Sequence, residues 1–356
     1  MTPLTSWRRA QGGPISVAAP VGDESRIGEA RRAADALAAE LGFSEETRGV
    51  IAVVVSEAAT NLARHAKEGV IYLRDLAPSG SRGIEILAVD RGPGMANIAL
   101  SSLDGYSTEG TSGNGLGAMR RMAHEFDIYS RPGTGTAVVA RIFDTSAAER
   151  AVAPASAVRM GVICRPIASE VVCGDGWAIA ERAGRVIVLM VDGLGHGPDA
   201  AEAADTAREL FAGAHDRPPK EILSTLHGAL RPTRGAAALI IQIVPNGGGP
   251  AAVTVAGAGN ISCAIYSGDG VAKSLPSVNG TVGHVLRDLR EFQGELPAGA
   301  RLIAATDGLT TRWRLGDYPG IGFVDPALAA AVLHRDHSRG RDDVTVLALT
   351  LATKEG

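Results

Sequence analysis

Glu57 and Asn61 are the first residues along the chain whose types suit phosphate chemistry. They lie four positions apart, so a helix would present both on one face. An amide oxygen is a hard ligand suited to Mg²⁺, and a carboxylate can orient or deprotonate an incoming hydroxyl group. Such a pair is more often a solvated polar face, so its weight depends on the segments that follow.

A glycine-rich turn with an aspartate follows a predicted strand. Asp90 comes directly after the strand residues Ile84–Val89 and precedes Gly92 and Gly94. An aspartate at this point can accept a hydrogen bond from an adenine amino group, and the glycines let the backbone approach the base. The alternative is an ordinary turn, for which these residue types are also common.

Two more segments extend the same pattern. Thr111–Gly117 contains Gly115 and Gly117 and precedes a predicted helix, whose N-terminal N–H groups suit phosphate oxygens. Thr136 opens the last predicted strand of this half, where it can support a base pocket. The order of these elements predicts an ATP pocket more specifically than any one of them alone.

The second half of the chain places aspartates at the borders of predicted strands: Asp175, Asp192, Asp307 and Asp342. Converging carboxylates repel one another unless cations neutralise them. Oxygen ligands without a His/Cys cluster favour Mg²⁺ or Mn²⁺ over Zn²⁺. Two such ions about 4 Å apart can activate a water and hold a phosphoryl group. A single Asp-Gly is usually only a turn, but four in this order predict a metal centre.

The elements that must position these residues alternate between helix and strand patterns. Ala-rich and Pro-initiated segments predict helices, and apolar runs predict strands. Predicted helices are 29–41, about 45–66, 116–126, 198–214 and 219–230. Predicted strands are 70–76, 83–89, 136–143, 186–191, 236–244, 251–255, 261–266, 302–305 and 344–351. We therefore expect an α/β (α+β) protein built from layered sandwiches.

Length and composition predict two globular domains in a cytoplasmic protein. The chain has 356 residues, and its Ala/Ser-rich segment 145–158 reads as a linker between domains 15–144 and 159–356, after a tail at 1–14. A net charge of −4 and an aromatic content of 4% disfavour nucleic acids and membrane surfaces as partners. Three cysteines without metal spacing favour a reduced compartment.

The motifs of the first half resemble the N, G1 and G2 boxes of the GHKL ATPase superfamily across Ile15 to Phe143. The phrases Asp104–Thr108 and Met119–Phe126 resemble RsbT-type switch kinases, which act on STAS-domain proteins of the stressosome. The resemblance implies a two-layer α/β sandwich that binds ATP with Mg²⁺. The resemblance implies that Asn61 binds the metal ion, that Glu57 acts as the base and that Asp90 recognises adenine. Gly92, Gly94, Gly115 and Gly117 would shape the pocket.

The second half resembles SpoIIE/type-2C (PPM) phosphatases from Arg159 to Leu351, and RsbX-type members in particular. The resemblance implies an α-β-β-α sandwich with two Mn²⁺ or Mg²⁺ ions. Asp175 and Asp192 would ligate the metals with the Gly193 carbonyl, and Asp192 would be central to catalysis. Asp307 and Asp342 would complete the site, with Asp343 a weaker candidate.

Together these resemblances imply a bifunctional switch regulator. One half would phosphorylate Ser/Thr of a STAS-domain anti-sigma-factor antagonist or stressosome-type protein, and the other would remove phosphate. In the alternative, the ATP domain sequesters a sigma factor or senses nucleotide, and only the phosphatase turns over. A third interpretation treats the sites as degenerate and the chain as a scaffold. The presence of every motif residue argues against this interpretation.

Overall fold

The structure, a computed structural model, describes residues 8–11, 17–76, 82–98, 115–144, 156–182, 184–267, 270 and 272–352. The chain divides into two compact units, one formed by residues 15–154 and the other by residues 1–14 together with 155–356. The segment 8–11, expected to be part of a tail, forms strand β1 (Arg8–Gln11) and pairs antiparallel with a strand that starts at Asp175. Most of the expected linker lies outside the described residues.

The first unit is a two-layer sandwich of helices on an antiparallel sheet. Its strands are β2 (Val17–Val21), β3 (Gly69–Asp75), β4 (Gly83–Val89), β5 (Glu125–Arg131) and β6 (Gly135–Phe143), and its helices are α1 (Ile27–Glu40), α2 (Glu45–His65) and α3 (Gly115–Met122). The strand order is β2-β3-β4-β6-β5. Ser44 caps α2 by accepting a hydrogen bond from the Thr47 N–H, as its sequence position predicts.

One face of this sheet packs against the helices. Ile71, Ile84 and Ile86 of the strands meet Ile51 and Val55 of α2 in a single buried apolar cluster. These strand residues recur at every second position, which is the period that turns alternate side chains to one face. The core therefore fixes the rotation of α2, and with it the direction of its polar face.

The described part of the second unit contains two large antiparallel sheets and a small sheet formed by β14 and β15. Its strands are β7 (Val158–Arg165), β8 (Asp175–Arg182), β9 (Arg185–Gly193), β10 (Ala236–Asn246), β11 (Gly249–Ala258), β12 (Ser262–Tyr266), β13 (Ala272–Ser274), β14 (Gly280–Thr281), β15 (Val285–Leu286), β16 (Glu291–Leu296), β17 (Arg301–Ala305) and β18 (Val344–Leu351). Its helices are α4 (Pro198–Ala214), α5 (Pro219–Ala229) and α6 (Pro326–His337). One sheet has the order β1-β8-β9-β10-β11-β16 and the other β13-β12-β17-β18-β7.

Apolar layers hold the second unit together. Val188 and Leu239 of the first sheet share a buried cluster with Leu302 and Leu347 of the second sheet. The other face of the first sheet packs on α4 and α5 through residues such as Phe211. This arrangement is the α-β-β-α sandwich that the resemblance implies, because α6 covers the second sheet along β7 and β18.

Several elements differ from the sequence predictions: strands such as β2, β7 and β16 were not predicted, and two further differences have a clear cause. The helix predicted at 116–126 ends at Met122, and Glu125–Arg131 forms strand β5 instead. Helix α6 was not predicted, because all residues from Pro326 to Leu333 are buried and show no polar face. A helix without an amphipathic period has no signal that separates it from a strand.

Within the described residues, the structure contains no helix with the length and apolar character needed to cross a membrane.

Candidate nucleotide pocket and carboxylate centre

Helix α2 carries the predicted metal ligand and base on the face that meets the start of α3. A Cβ atom built on Gly115 would lie 3.0 Å from Glu57 Oε2 and 3.2 Å from Asn61 Oδ1. The first residue of α3 therefore approaches both side chains closely, and any larger residue would have to displace them. Gly117 is buried in the same turn of α3. The segments 104–108 and 111–114 lie outside the described residues.

The predicted adenine loop approaches the C-terminal end of the same helix. The Gly92 N–H donates to Asp90 Oδ1 at 2.5 Å, and a Cβ on Gly92 would lie 2.6 Å from the His65 carbonyl oxygen. The Asp90 N–H donates to the carbonyl oxygen of Thr136 at 2.9 Å. Asp90, Gly92 and Thr136 are therefore brought together at the end of the helix that carries Glu57 and Asn61.

Gly94 packs against the turn between β5 and β6. Its φ of +66° favours glycine, and a Cβ there would lie 1.9 Å from the Arg131 carbonyl oxygen. Ser130 fixes the same contact, because its Oγ accepts the Met95 N–H and hydrogen-bonds Thr136 Oγ1, both at 2.8 Å. Sequence reasoning missed Ser130, since its partner Met95 lies 35 positions earlier in the chain.

In the second unit, the register of β8 and β9 places two of the predicted metal ligands side by side. Asp175, the first residue of β8, is the direct cross-strand partner of Asp192 near the end of β9. Residues opposite one another in an antiparallel pair have Cβ atoms about 4.5–5.5 Å apart. The neighbouring Gly193 N–H donates to the Gly174 carbonyl oxygen at 3.0 Å, which closes the ladder at this end.

Asp175 is buried with one oxygen lacking a partner. Asp175 is only 3% exposed, and its Oδ2 accepts a hydrogen bond from the Thr306 hydroxyl at 2.7 Å. Oδ1 is buried and has no hydrogen-bond partner within the described part of the chain. Burial raises the pKa of the Asp175 carboxyl well above its ordinary value. A bare buried carboxylate oxygen is costly, and a cation is one way to satisfy it.

The other predicted ligands act on Asp192 electrostatically. Burial, together with the charges of nearby aspartates, raises the pKa of Asp192 to about 9. Those aspartates are Asp175, Asp307, Asp342 and Asp343. Burial also raises the pKa of Asp307, which Asp342 raises further and Arg339 lowers. The four predicted ligands therefore share one electrostatic environment.

A side chain and two backbone N–H groups outside the predicted set orient Asp307 and Asp343. The Asn260 amide donates to Asp307 Oδ2 at 2.7 Å. Asp343 Oδ1 accepts the Ile167 N–H at 2.7 Å, and its Oδ2 accepts the Gly174 N–H at 2.6 Å. Asp343 is thus engaged with backbone and supports the loop before Asp175, whereas Asp342 Oδ1 accepts a hydrogen bond from the neighbouring Asp343 N–H, at 3.0 Å.

The donor set fits a hard divalent cation. Its charged groups are carboxylates, which are the ligands that Mg²⁺ and Mn²⁺ prefer. Across the ranges that the structure describes, no three His, Cys, Asp or Glu side chains are already grouped as a cage for an ion. The fit therefore rests on the unpartnered Asp175 oxygen and on the mutual repulsion that a cation would relieve.

Comparison with known proteins assigns the first unit. Residues 21–142 match the model of the histidine kinase-like ATPase domain. Over 111 residues, the chain is 37% identical to the serine/threonine-protein kinase RsbT of Bacillus subtilis (strain 168), covering 31% of this chain and 84% of that protein. This chain belongs to the histidine kinase-like ATPase family. It is also 32% identical over 115 residues to the anti-sigma F factor of Caldanaerobacter subterraneus, covering 31% of this chain and 79% of that protein.

The second unit of this ATPase-family chain is similar to stage II sporulation protein E. Residues 182–352 match the model of stage II sporulation protein E. A solved structure of the PP2C phosphatase domain with a regulatory fragment of SpoIIE from Bacillus subtilis is 16% identical, with a TM-score of 0.46. The match covers 94% of this chain and 99% of that one. An ATPase domain similar to RsbT, joined to a SpoIIE-type domain, fits a partner-switching regulator.

Proposed function

We propose that the protein is a bifunctional switch regulator of the cytoplasm that both adds and removes phosphate on Ser/Thr of a partner protein. The kinase half would use ATP with Mg²⁺, and the phosphatase half would use two Mn²⁺ or Mg²⁺ ions. The observation that carries the proposal is the pairing of Asp175 with Asp192 beside Asp307 and Asp342. The grouping of Glu57, Asn61 and Gly115 supports the kinase half.

In the kinase half, the chain's residues would bind and orient the nucleotide. The Asn61 amide oxygen would hold the Mg²⁺ that neutralises phosphate charge. Glu57 lies one helical turn earlier and would orient the acceptor hydroxyl and take its proton. Asp90 would accept a hydrogen bond from the adenine amino group while the glycines of its loop let the ring approach. Gly115 lets the start of α3 lie close to the Glu57–Asn61 face, and the N–H groups of this helix start would bind phosphate oxygens.

In the phosphatase half, the carboxylates would hold the ions, with Asp175 and Asp192 nearest one another. The bound ions supply Lewis-acid activation of water and a clamp on the phosphoryl group. Thr306 and Asn260 would keep the Asp175 and Asp307 carboxylates in fixed orientations. Asp343 would hold the loop that leads into Asp175. No nucleophilic side chain is needed for hydrolysis of this type.

The partner that fits best is a STAS-domain anti-sigma-factor antagonist or stressosome-type protein. The support is the likeness of residues 21–142 to a domain whose relative is named a serine/threonine-protein kinase. Two opposing activities on one chain would each act at high effective concentration on a shared partner.

The test is to incubate the full-length protein with candidate STAS proteins, ATP, Mg²⁺ and Mn²⁺, and to follow phosphate on the partner by mass spectrometry. We expect phosphorylation while ATP lasts, and dephosphorylation once ATP is removed with apyrase. Hydrolysis of p-nitrophenyl phosphate in Mn²⁺ checks the phosphatase half alone. Absence of both phosphate transfer and Mn²⁺-dependent hydrolysis would contradict the proposal.

A second candidate function follows from the likeness to an anti-sigma F factor. Here the ATPase domain would hold a sigma factor in a nucleotide-dependent manner, and only the phosphatase would turn over. Affinity purification of the tagged chain with ATP separates the two candidates. Recovery of a sigma factor without any phosphorylated STAS protein favours sequestration, whereas a phosphorylated STAS partner favours the kinase.

A further inference from the structure

A surface cavity in the phosphatase domain lies outside the carboxylate centre. It has a volume of about 680 Å³ and lies where the chain runs from the end of β13 to the start of β16. Its walls include Val278 and Gly280 on one side and Arg287, Asp288 and Arg290 on the other. None of these residues belongs to the set that would hold the metal ions.

Backbone contacts connect one wall of this cavity to the carboxylate centre. The Gly259 N–H donates to the Val278 carbonyl oxygen at 3.0 Å, and the next residue, Asn260, holds Asp307. Val282 exchanges two backbone hydrogen bonds with Ala236, at 2.8 and 3.0 Å. Ala236 in turn is the cross-strand partner of Gly193, directly after Asp192. The segment that lines the cavity is therefore hydrogen-bonded to the strand ends that carry the proposed metal ligands.

The other wall carries positive charge that the protein does not neutralise. Arg287 and Arg290 are exposed, and neither makes an ion pair or side-chain hydrogen bond within the described part of the chain. Glu291 is next in sequence, but its Oε1 accepts the Lys220 N–H at 3.0 Å at the start of α5. Asp288 is the one acidic residue that lines this cavity, so the wall keeps a net positive charge.

The backbone that presents the two arginines is in an unusual conformation. Asp288 has a φ of +50°, one of two non-glycine residues with positive φ among those described. Left-handed backbone costs a non-glycine residue roughly 1 kcal/mol and is found more often at functional sites. Here it forms the sharp turn between Arg287 and Arg290 that lets both line the same cavity.

We propose that this cavity binds acidic residues that flank the phosphorylated Ser or Thr of the protein substrate. The inference rests on the proposed phosphatase function and adds to it the chemistry by which a substrate is selected. A guanidinium pairs with a carboxylate through two parallel hydrogen bonds, so two arginines can bind two acidic side chains. A substrate with its phosphate at the carboxylate centre would lay its flanking chain along this wall.

The experiment compares two synthetic phosphothreonine peptides of equal length, one with glutamates and one with lysines around the phosphothreonine. The full-length protein and its R287E/R290E variant are tested for peptide binding by fluorescence anisotropy in EDTA. Both are then tested for phosphate release in Mn²⁺. The matched control is R182E/R217E, which makes the same charge change at the opposite end of β9, where Arg182 pairs with Arg185.

We expect the unmodified protein to prefer the glutamate peptide by about fivefold to tenfold in affinity and in kcat/KM, the size expected for two exposed ion pairs. R287E/R290E should reverse the preference, R182E/R217E should keep it, and hydrolysis of p-nitrophenyl phosphate should stay within about twofold in both. Equal binding of the two peptides, or an unchanged preference in R287E/R290E, would overturn the inference.

The two readouts separate this inference from the proposed function. If the unmodified protein shows no Mn²⁺-dependent hydrolysis of either peptide or of p-nitrophenyl phosphate, the phosphatase proposal fails. The anisotropy measurement needs no catalysis, so the selectivity of the cavity for acidic flanks is still decided in that case.

Discussion

The proposed nucleotide pocket and the proposed carboxylate metal centre are organised in opposite ways. The pocket is shaped by close backbone approach, because Gly92, Gly94 and Gly115 each lie where a Cβ would meet neighbouring atoms. The centre is shaped by like charge, because burial and the charges of neighbouring aspartates raise the pKa of Asp192. The first is organised by space and the second by a repulsion that cations relieve. Changes of size should therefore damage the pocket, and changes of charge should damage the centre.

The largest effect expected from this comparison is loss of hydrolysis in Asp192→Asn. The substitution keeps the shape but removes a charged metal ligand, so Mn²⁺-dependent hydrolysis of p-nitrophenyl phosphate should fall by about a thousandfold or more. ATP binding should not change. The control Asp216→Asn, at an exposed position after α4, should retain full activity. Hydrolysis within tenfold of the unmodified rate in Asp192→Asn would contradict the metal assignment.

Glu57→Gln should have the next largest effect, and only on phosphate transfer. A general base typically contributes about 10²–10⁴ in rate, so transfer to a STAS partner should fall by at least a hundredfold. ATP affinity should stay nearly unchanged because the amide keeps the volume beside Gly115. The measurement is a single-turnover transfer of labelled phosphate beside an ATP titration. A large loss of ATP affinity would instead assign Glu57 to binding.

Gly94→Ala tests the importance of space in the pocket. The added methyl group would meet the Arg131 carbonyl oxygen, and the φ of +66° disfavours any side chain. We expect a loss of about 3 kcal/mol in the free energy of unfolding, from left-handed backbone and forced displacement together.

Gly133→Ala is the matched control for that substitution. Gly133 has a φ of +78°, but its Cβ would meet no atom within 4 Å. Its cost should therefore be only about 1 kcal/mol, due to the backbone alone. Urea unfolding of both variants measures the difference. Equal costs would show that the close approach of Gly94 to Arg131 has no energetic importance.

A pH-dependent effect is expected in the metal-free protein, where the charge on Asp192 should destabilise the fold. Because the pKa of Asp192 is raised to about 9 in the fold, folding takes up a proton at higher pH. Stability in EDTA should thus fall as pH rises from about 4 towards 9, by at most about 1.4 kcal/mol per pH unit. Asp192→Asn should flatten this slope and raise Tm by a few degrees at pH 8. An unchanged slope would contradict the charge argument.

The sequence predicts much of the fold because most elements carry a clear local signal. Strands such as β4 and β18 have the predicted bounds, and Ser44 caps α2 as expected. The aspartates at strand ends are recognisable because a polar residue follows an apolar run. The ends of β8 and β9 then align Asp175 with Asp192. Where a run of apolar residues is bounded by turn residues, the local pattern is therefore sufficient.

What the sequence does not reveal depends on partners far away in the chain. Asp343 differs from Asp342 only because the N–H groups of Ile167 and Gly174 lie against it in the fold. Thr306 and Ser130 are ordinary residues until their partners are known. Strand β1 pairs with β8, about 170 residues away, and has no apolar alternation of its own. Such long-range pairs have no local pattern.

The most direct test of two separate sites is calorimetric titration of three full-length proteins, unmodified, Asn61→Ala and Asp192→Asn. Each is titrated with Mn²⁺ alone and with ATP in Mg²⁺. We predict that Asn61→Ala loses ATP binding by at least a hundredfold and keeps Mn²⁺ binding, while Asp192→Asn does the reverse. Loss of both ligands in either variant, or of neither in both, would contradict the account.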